Sequence, residues 1–440
     1  MAKCNRIEYQ LHPLRDALYN ELHIRPFHSL KAPQQVTHLA ACCSTEELES
    51  AYDLLCDLCK RYEINPPQTD SVTFYQNFGD FVINWERHVE FYSFTIMQPA
   101  PPKGEPFQYT AIDLLPADWL RQLPGQMIAA FHIIIDDQQL EYNSNSLTHY
   151  FEGHSVMRSS TYEGKAQIYT AFKLHGDGYG RVIICNKGMS ELQTGRLSRR
   201  LIDLETYRLL SLLSLPVAKR IAPQLLDMDK QLAEILTVVA KLDTASSERK
   251  LLEKLAKIEA RLETHRADTT HRFSATRAYH QLVKDRLERI NEEKIVGHLS
   301  IGEFINRRLN PALRTCDSVQ KWMENLSKRI ERASDLMRTR VNLNLQEQNR
   351  SQLAAMNQRS KLQFRLQETV EGLSIAAISY YAVGLLSYLF NGLPLKHWGV
   401  DKNILLASSI PVVLVVIWSI TRRIKHKLIK SQDIDESVEG

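Results

Sequence analysis

Two long runs near the C-terminus carry no charged residue, and they constrain the chain more than any other feature. Residues 372–390 read GLSIAAISYYAVGLLSYLF, and residues 403–420 read NILLASSIPVVLVVIWSI. At 1.5 Å per residue each makes a helix of about 27–29 Å, close to the roughly 30 Å hydrocarbon core of a bilayer. A helix on the surface of a water-soluble domain needs a polar face, and neither run has one. Lipid offers the backbone no hydrogen-bond partner, so a helix is the form in which such a run crosses. The expectation is a transmembrane hairpin over 372–420, with spans at 372–390 and 403–420. The alternative is a pair of helices buried within a soluble domain.

Basic residues orient the hairpin. Arg350, Arg359, Lys361 and Arg365 precede the first span, and Arg422, Arg423, Lys425, Lys427 and Lys430 follow the second. The loop between them offers only Lys396 and Lys402. The positive-inside rule then places both ends in the cytoplasm and the loop outside, with a tail over 421–440 that is basic, then acidic. Tyr388, Trp398 and Trp418 fall near the expected interfaces, where amphipathic aromatics sit. Pro411 is tolerable inside a span, because membrane neighbours can satisfy the carbonyl it frees.

The 440 residues carry a net charge of +4, with much of the basic excess at the membrane end. That favours anionic lipid headgroups over nucleic acid as its partner. The opening MAKCNRIEYQLHPLRD has no apolar stretch and so no signal-peptide core, which keeps the large N-terminal part in the cytoplasm. Seven cysteines is an odd count, and reducing surroundings argue against a disulfide framework.

Residues 1–190 read as a mixed α/β region. A short helix is expected over 13–22, stopped near Arg25-Pro26, and a strand over 35–43. Ser44 with Glu47 is a capping-box pattern, and it opens a helix through Tyr62 with the stripe Leu48, Tyr52, Leu55 and Leu58. Residues 72–97 alternate as two or three antiparallel strands with a turn at Phe78-Gly79-Asp80. A proline-rich connector follows over 98–106. Residues 127–136 are another strand. Residues 164–175 and 181–186 flank a glycine turn at 176–180.

From about Gly195 the apolar period turns helical. Leu225, Met228, Leu232, Ile235, Val239 and Leu242 mark one helix, and Leu251, Leu255, Ile258 and Leu262 a second after a hinge at 243–248. Val283, Leu287 and Ile290 mark a third. A fourth is expected to begin near Pro311, with the seam Cys316, Val319, Met323, Leu326, Ile330, Ala333 and Met337. Such seams suit an antiparallel bundle or coiled coil, or ordinary amphipathic helices in a compact domain. No breaker separates Pro311 from Gly372, so one helix is expected to run into the first span, on the order of 120 Å in all. Its polar stretch NLNLQEQNRSQ (342–352) suits a wet contact between identical helices and hence a homo-oligomer.

Candidate sites are few. Cys42-Cys43 and Cys56-x-x-Cys59 suggest zinc, but adjacent strand cysteines point to opposite faces, so three at most converge, and buried free thiols are the competing reading. His12, Arg15, Glu21, His23, Arg25 and His28 crowd the N-terminal region. His12, Arg15, Glu21, His23 and Arg25 suit a ligand or partner patch. His12, Glu21, His23, Arg25 and His28 offer an acid/base set without an accompanying nucleophile motif, and Glu21 and Arg25 as readily pair with each other or orient the turn at Pro26. Gly176, Gly178 and Gly180 lack the following helix that a nucleotide loop needs. Arg196, Arg199 and Arg200 suit an anion, a solvated face, or pairing with Asp203 and Glu205.

Three blocks carry a resemblance: HPLRDALYNELHIRPF (12–27), GRLSRRLIDLETYRLLSLLSLPVA (195–218) and RTRVNLNLQEQNRSQLAAMNQRSKLQFRLQETVEGLSIAAISYYAVGL (338–385). Together they resemble a family of uncharacterised bacterial membrane-anchored proteins, a domain-of-unknown-function family, across nearly the whole chain. The resemblance implies a cytoplasmic domain anchored in the bacterial inner membrane and implies no established activity. The overall plan also resembles the CorA-type cobalt/magnesium channels. That family closes its first span with Tyr-Gly-Met-Asn, then Met-Pro. Here Tyr388 and Asn391 match in spacing, while Leu389 and Phe390 replace the glycine and methionine, and Gly392-Leu393-Pro394 follows. Under that likeness Tyr388, Asn391 and Gly392 form a pore mouth, and a ring of Asn391 carbonyls would hold a hydrated Mg²⁺ or another divalent cation. Equally, Asn391-Gly392 suits any tight loop after a helix.

The combined expectation is an α+β cytoplasmic domain (1–190), a long antiparallel helical or coiled-coil stalk (191–371), and the two-helix hairpin. The function expected is a membrane-tethered, oligomeric, non-catalytic assembly or interaction protein without cofactor, whose partners are the lipid bilayer and further copies of itself. The alternatives are a divalent-cation channel and a membrane-anchored enzyme.

Overall fold

A computed structural model describes residues 12–15, 18–19, 28–100, 105–137, 140, 142–239, 245–392 and 402–436. The chain divides into two compact units, Met1–Ser334 and Asp335–Gly440.

The first unit is built on a nine-stranded sheet. Its strands are β1 (Gln34–Cys42), β2 (Thr73–Asn77), β3 (Val82–Arg87), β4 (Phe91–Pro99), β5 (Gln126–Asp136), β6 (Met157–Thr161), β7 (Ala166–Thr170), β8 (Gly180–Asn186) and β9 (Glu293–Lys294), in the order β2-β3-β4-β1-β5-β8-β7-β6-β9. Among the described strands only β5 and β8 pair in parallel. The helices are α1 (Thr45–Arg61), α2 (Ala117–Leu120), α3 (Ser144–Tyr150), α4 (Glu191–Leu212), α5 (Ser214–Val239), α6 (Ala245–Ile290), α7 (Ile301–Gly392) and α8 (Lys402–Glu436). A 3₁₀ turn spans Ala111–Leu114.

Strand alternation sorts the residues onto two covered faces. On one face Leu39, Ile83, Trp85, Phe94 and Ile96 pack with Leu48, Leu55 and Leu58 of α1. Trp119 closes this layer and donates from Nε1 to the Leu54 carbonyl, 2.8 Å away. The capping box at the start of α1 forms as the sequence predicts: Glu47 N donates to Ser44 Oγ at 3.3 Å, and Ser44 N donates to Glu47 Oε2 at 2.8 Å. On the other face Val36, Phe131, Ile133 and Ile184 pack with Leu197, Leu201 and Leu204 of α4. The segment entering β1 passes very close to α4, where Leu30 N donates to the Glu191 carbonyl at 3.0 Å. A Cβ on Gly195 would stand 1.8 Å from the His28 carbonyl oxygen, so only glycine admits this crossing.

α4 and α5 are separated by Leu213 alone, and both run antiparallel to α6. Asp203 meets Arg286, Ser211 meets Thr276, and Asp227 meets Arg261, so one chain ascends as the other descends. The first part of α7 is antiparallel to α6 in turn, through His280 with Asn310, Arg277 with Gln320 and Arg266 with Ser327. The seam Cys316, Val319, Met323, Leu326, Ile330, Ala333 and Met337 is buried throughout.

Two boundaries differ from the sequence expectation. The second and third helices are one, α6, of 46 residues. Its apolar stripe lapses in the middle because buried Thr269 and Thr276 take seam positions beside Phe273, and Thr276 satisfies its hydroxyl on the Ser211 carbonyl at 3.2 Å. No glycine or proline interrupts it, so the helix continues. The fourth helix starts at Ile301 rather than near Pro311. Ser300 Oγ accepts from Glu303 N at 3.2 Å, and the Glu292 carboxylate accepts from Gly302 N at 2.9 Å and from Ser300 Oγ at 2.9 Å. These acceptors satisfy donors that a helix N-terminus otherwise leaves bare. Pro311 therefore lies inside α7, where the fold tolerates its missing N–H. Between α6 and α7, β9 returns to the sheet and pairs with β6, so chain beyond residue 190 completes both a face and an edge of the sheet.

In the second unit, α7 continues to Gly392 and α8 spans Lys402–Glu436. Among the described residues, three helical stretches are long and apolar enough to cross a bilayer: Glu191–Val239, Ile301–Leu389 and Asn403–Arg423. They differ in cover. In the most apolar window of each, 33%, 6% and 0% of residues are buried within the chain.

Candidate functional site

A polar island lies between the sheet and α4, where the alternation calls for apolar residues. Asn84 and Glu86 of β3, Ser93 and Thr95 of β4, and His38 of β1 all face α4 and are buried. Asn84, Thr95 and His38 are successive cross-strand partners. His38 spans the layer: its Nδ1 lies 2.9 Å from Thr95 Oγ1 and its Nε2 3.1 Å from Thr206 Oγ1 on α4. One ring nitrogen donates and the other accepts, and either hydroxyl can serve either role. Burial, then the nearby Arg199 charge, depresses the His38 pKa to about 3, so the ring is neutral at physiological pH.

Glu86 is 3% exposed, and an isolated carboxylate so placed would be costly. Arg199 answers it with two parallel hydrogen bonds, Nη1 to Oε1 at 2.5 Å and Nη2 to Oε2 at 2.8 Å. Asn84 Nδ2 adds a third at 3.3 Å, and His88 Nε2 approaches to 3.6 Å. Burial pushes the Glu86 pKa up, but His88 and Arg199 outweigh it and hold the carboxyl well below the usual carboxylate range. The chain of charge continues outward: Arg199 Nε lies 3.0 Å from Asp203 Oδ1, and Arg286 Nε donates to Asp203 Oδ2 at 2.7 Å.

Beyond Asp203 the two helices part to leave a cleft of about 370 Å³. From α4 it is lined by Arg196, Arg199, Arg200, Asp203 and Tyr207, which recur at intervals of one helix face. Arg286 and Arg289 of α6, one turn apart, close the other wall. Arg200 Nη1 donates to the Arg289 backbone carbonyl at 2.5 Å and to Tyr162 Oη at 3.3 Å, satisfying a carbonyl that the end of α6 leaves open. Burial, then Asp203, raises the Tyr207 pKa to about 12, so its hydroxyl keeps its proton.

The residues singled out in the sequence fare unevenly. Arg196, Arg199 and Arg200 come together here, with Arg199 taken up in the buried pairing. Glu205 pairs elsewhere, with Arg208 at 2.6 Å. His12 and Arg15 are exposed; His12 Nδ1 accepts from Leu14 N at 3.2 Å, and Arg15 lies 5.1 Å from the Tyr19 ring centroid. Glu21, His23 and Arg25 lie outside the described residues. His28 is half-buried and stacks on Tyr75 at 3.4 Å. Tyr388 is 80% exposed near the end of α7, whose last two residues are Asn391 and Gly392. The glycine turn at 176–180 is pinned by Arg181, which bonds Asp177 and Glu152 at 2.9 Å each. Cys42, Cys43, Cys56, Cys59, Cys185 and Cys316 are free thiols, and burial raises the pKa of Cys43 and Cys59 to about 11. Among the described residues no group of three or more His, Cys, Asp or Glu is placed to hold a metal. Sequence reading missed Glu86, His38, Arg286 and Arg289; polar residues at the inward positions of β3 were the available signal.

The fold and this site define a mixed α/β protein with a buried charge network under its first long helix and an arginine-lined cleft beside it. The chain belongs to a family described as "Protein of unknown function (DUF3422)", which matches residues 10–428. No curated protein matches the chain.

Proposed function

We propose that the chain is an integral protein of the bacterial inner membrane, an oligomeric, non-catalytic assembly or interaction protein whose α/β domain is held in the cytoplasm by its last two apolar helices. The observation that carries this is the lack of protein cover over those helices. Leu373, Tyr380, Leu385, Ile404, Val412 and Trp418 are all more than half exposed, an apolar surface far beyond what a water-soluble chain sustains. The Glu191–Val239 stretch is different, because Leu197, Leu201, Leu204 and Leu210 are taken up by the sheet core. Two spans, rather than three, follow. Arg422 sits 5.1 Å over the Trp418 ring, the pairing of aromatic and basic groups that suits a headgroup interface. Self-association uses the exposed apolar residues of this part of α7, Leu345, Leu353, Met356, Leu362 and Leu366, which are interspersed with amides.

Alkaline carbonate treatment of membranes is expected to leave the full-length protein in the pellet and detergent to release it as a multiple of 50.7 kDa. Release by alkali alone would contradict the anchor, and a detergent-solubilised monomer would contradict the assembly.

A further inference from the structure

The cleft between α4 and α6 concentrates positive charge that the fold itself does not neutralise. Setting Arg196 aside, four guanidinium groups, those of Arg199, Arg200, Arg286 and Arg289, face two carboxylates, Glu86 and Asp203. Both carboxylates are spent on Arg199 and Arg286. Arg200 and Arg289 have no carboxylate partner among the described residues, yet a hydrogen bond from one side chain to the other's backbone holds them side by side. Like charges held side by side repel one another, and an anion entering the cleft would relieve that repulsion.

We propose that this cleft binds a phosphate-bearing ligand. Guanidinium forks match the spacing of phosphate oxygens, and donors from two helices can reach different oxygens of one tetrahedral group. The cleft's 370 Å³ lies within the range of small-molecule sites and exceeds what a lone carboxylate would fill. The guanidinium of Arg199 is fixed by Glu86 and that of Arg286 by Asp203, so the donors are set before the ligand arrives. The site is independent of the membrane anchor: neither α8 nor any residue after Ser334 contributes to it.

The phosphate could belong to a soluble metabolite or to a lipid headgroup, and one experiment separates them. Full-length protein in zwitterionic phosphatidylcholine nanodiscs is titrated with pyrophosphate, with sodium chloride at matched ionic strength as control, and melting temperature and heat are recorded. The same protein is then placed in nanodiscs containing phosphatidylglycerol. A saturable rise in melting temperature with pyrophosphate, weakened about tenfold in Arg289→Gln and absent in Arg200→Gln/Arg289→Gln, supports a soluble phosphate ligand. A rise seen only with phosphatidylglycerol, and lost in the same double variant, supports a headgroup. Arg289→Gln is the cleaner probe, because its side chain holds no described partner. No saturable response to either anion overturns the proposal, and so does an equal response in the double variant.

Discussion

Replacing Glu86 by alanine is expected to destabilise the α/β unit by about 3–5 kcal/mol, the range for breaking a buried ion pair from one side. The cause is what remains. Arg199 would lose both its short hydrogen bonds to Glu86 and stay largely buried with Asp203 as its sole carboxylate neighbour. The pairing itself is a weaker source of stability, because two charges had to leave water to form it. The double variant Glu86→Ala/Arg199→Met, which removes both charges and keeps an apolar stem, is therefore expected to recover much of the loss. Thermal and chemical unfolding of the full-length protein in detergent measures both. A single variant within about 0.5 kcal/mol of the parent, the usual scatter for surface changes, would show that the pair carries no such strain.

Acid is expected to unfold the same unit from well above the carboxylate range. His38 and His132 are buried on opposite faces of adjacent strands, His132 with Nδ1 2.9 Å from Thr37 Oγ1. Burial is the leading cause in both, and it depresses their pKa values to about 3 and about 4 from the ordinary 6.5. Between these values and about pH 6.5 the unfolded chain takes up protons that the folded chain refuses. Stability is thus full above about pH 6.5 and falls as pH drops toward the folded-state values, by on the order of 3–5 kcal/mol for each ring. Glu86 adds to this at the acid end, since its lowered pKa contributes stability above the ordinary carboxylate range that is lost below it. Unfolding free energy followed from neutral to acid pH checks the slope. His38→Gln and His132→Gln are expected to flatten it, and a profile unchanged down to about pH 4.5 would contradict the assignment.

What the sequence revealed was local. β1, α1 with its capping box, β5 and the 176–180 turn follow from alternation, caps and glycine placement within a few residues. The α7 seam, with its three- and four-residue steps, was readable in the same way. What escaped depends on distant partners. The parallel pairing of β5 with β8 leaves no mark on either strand, and β6, reading MRSST, is too short and polar to announce itself. α6 looked like two helices because its middle buries Thr269 and Thr276, and the Ser211 carbonyl that Thr276 meets comes from another helix. The site divides the same way. The arginines at 196, 199 and 200 stand out as a cluster, but Glu86 lies 113 residues from Arg199 and Arg286 83 residues from Asp203, so their meeting is a product of the fold alone.

The central claim, that lipid surrounds the last two apolar helices, is tested most directly by locating their connection relative to the chain's end. An epitope inserted between residues 393 and 401, and a second placed after Gly440, are probed in intact and in lysed spheroplasts. The account predicts that antibody reaches the first epitope in intact spheroplasts and the second only after lysis. Both epitopes answering from the same side would contradict it.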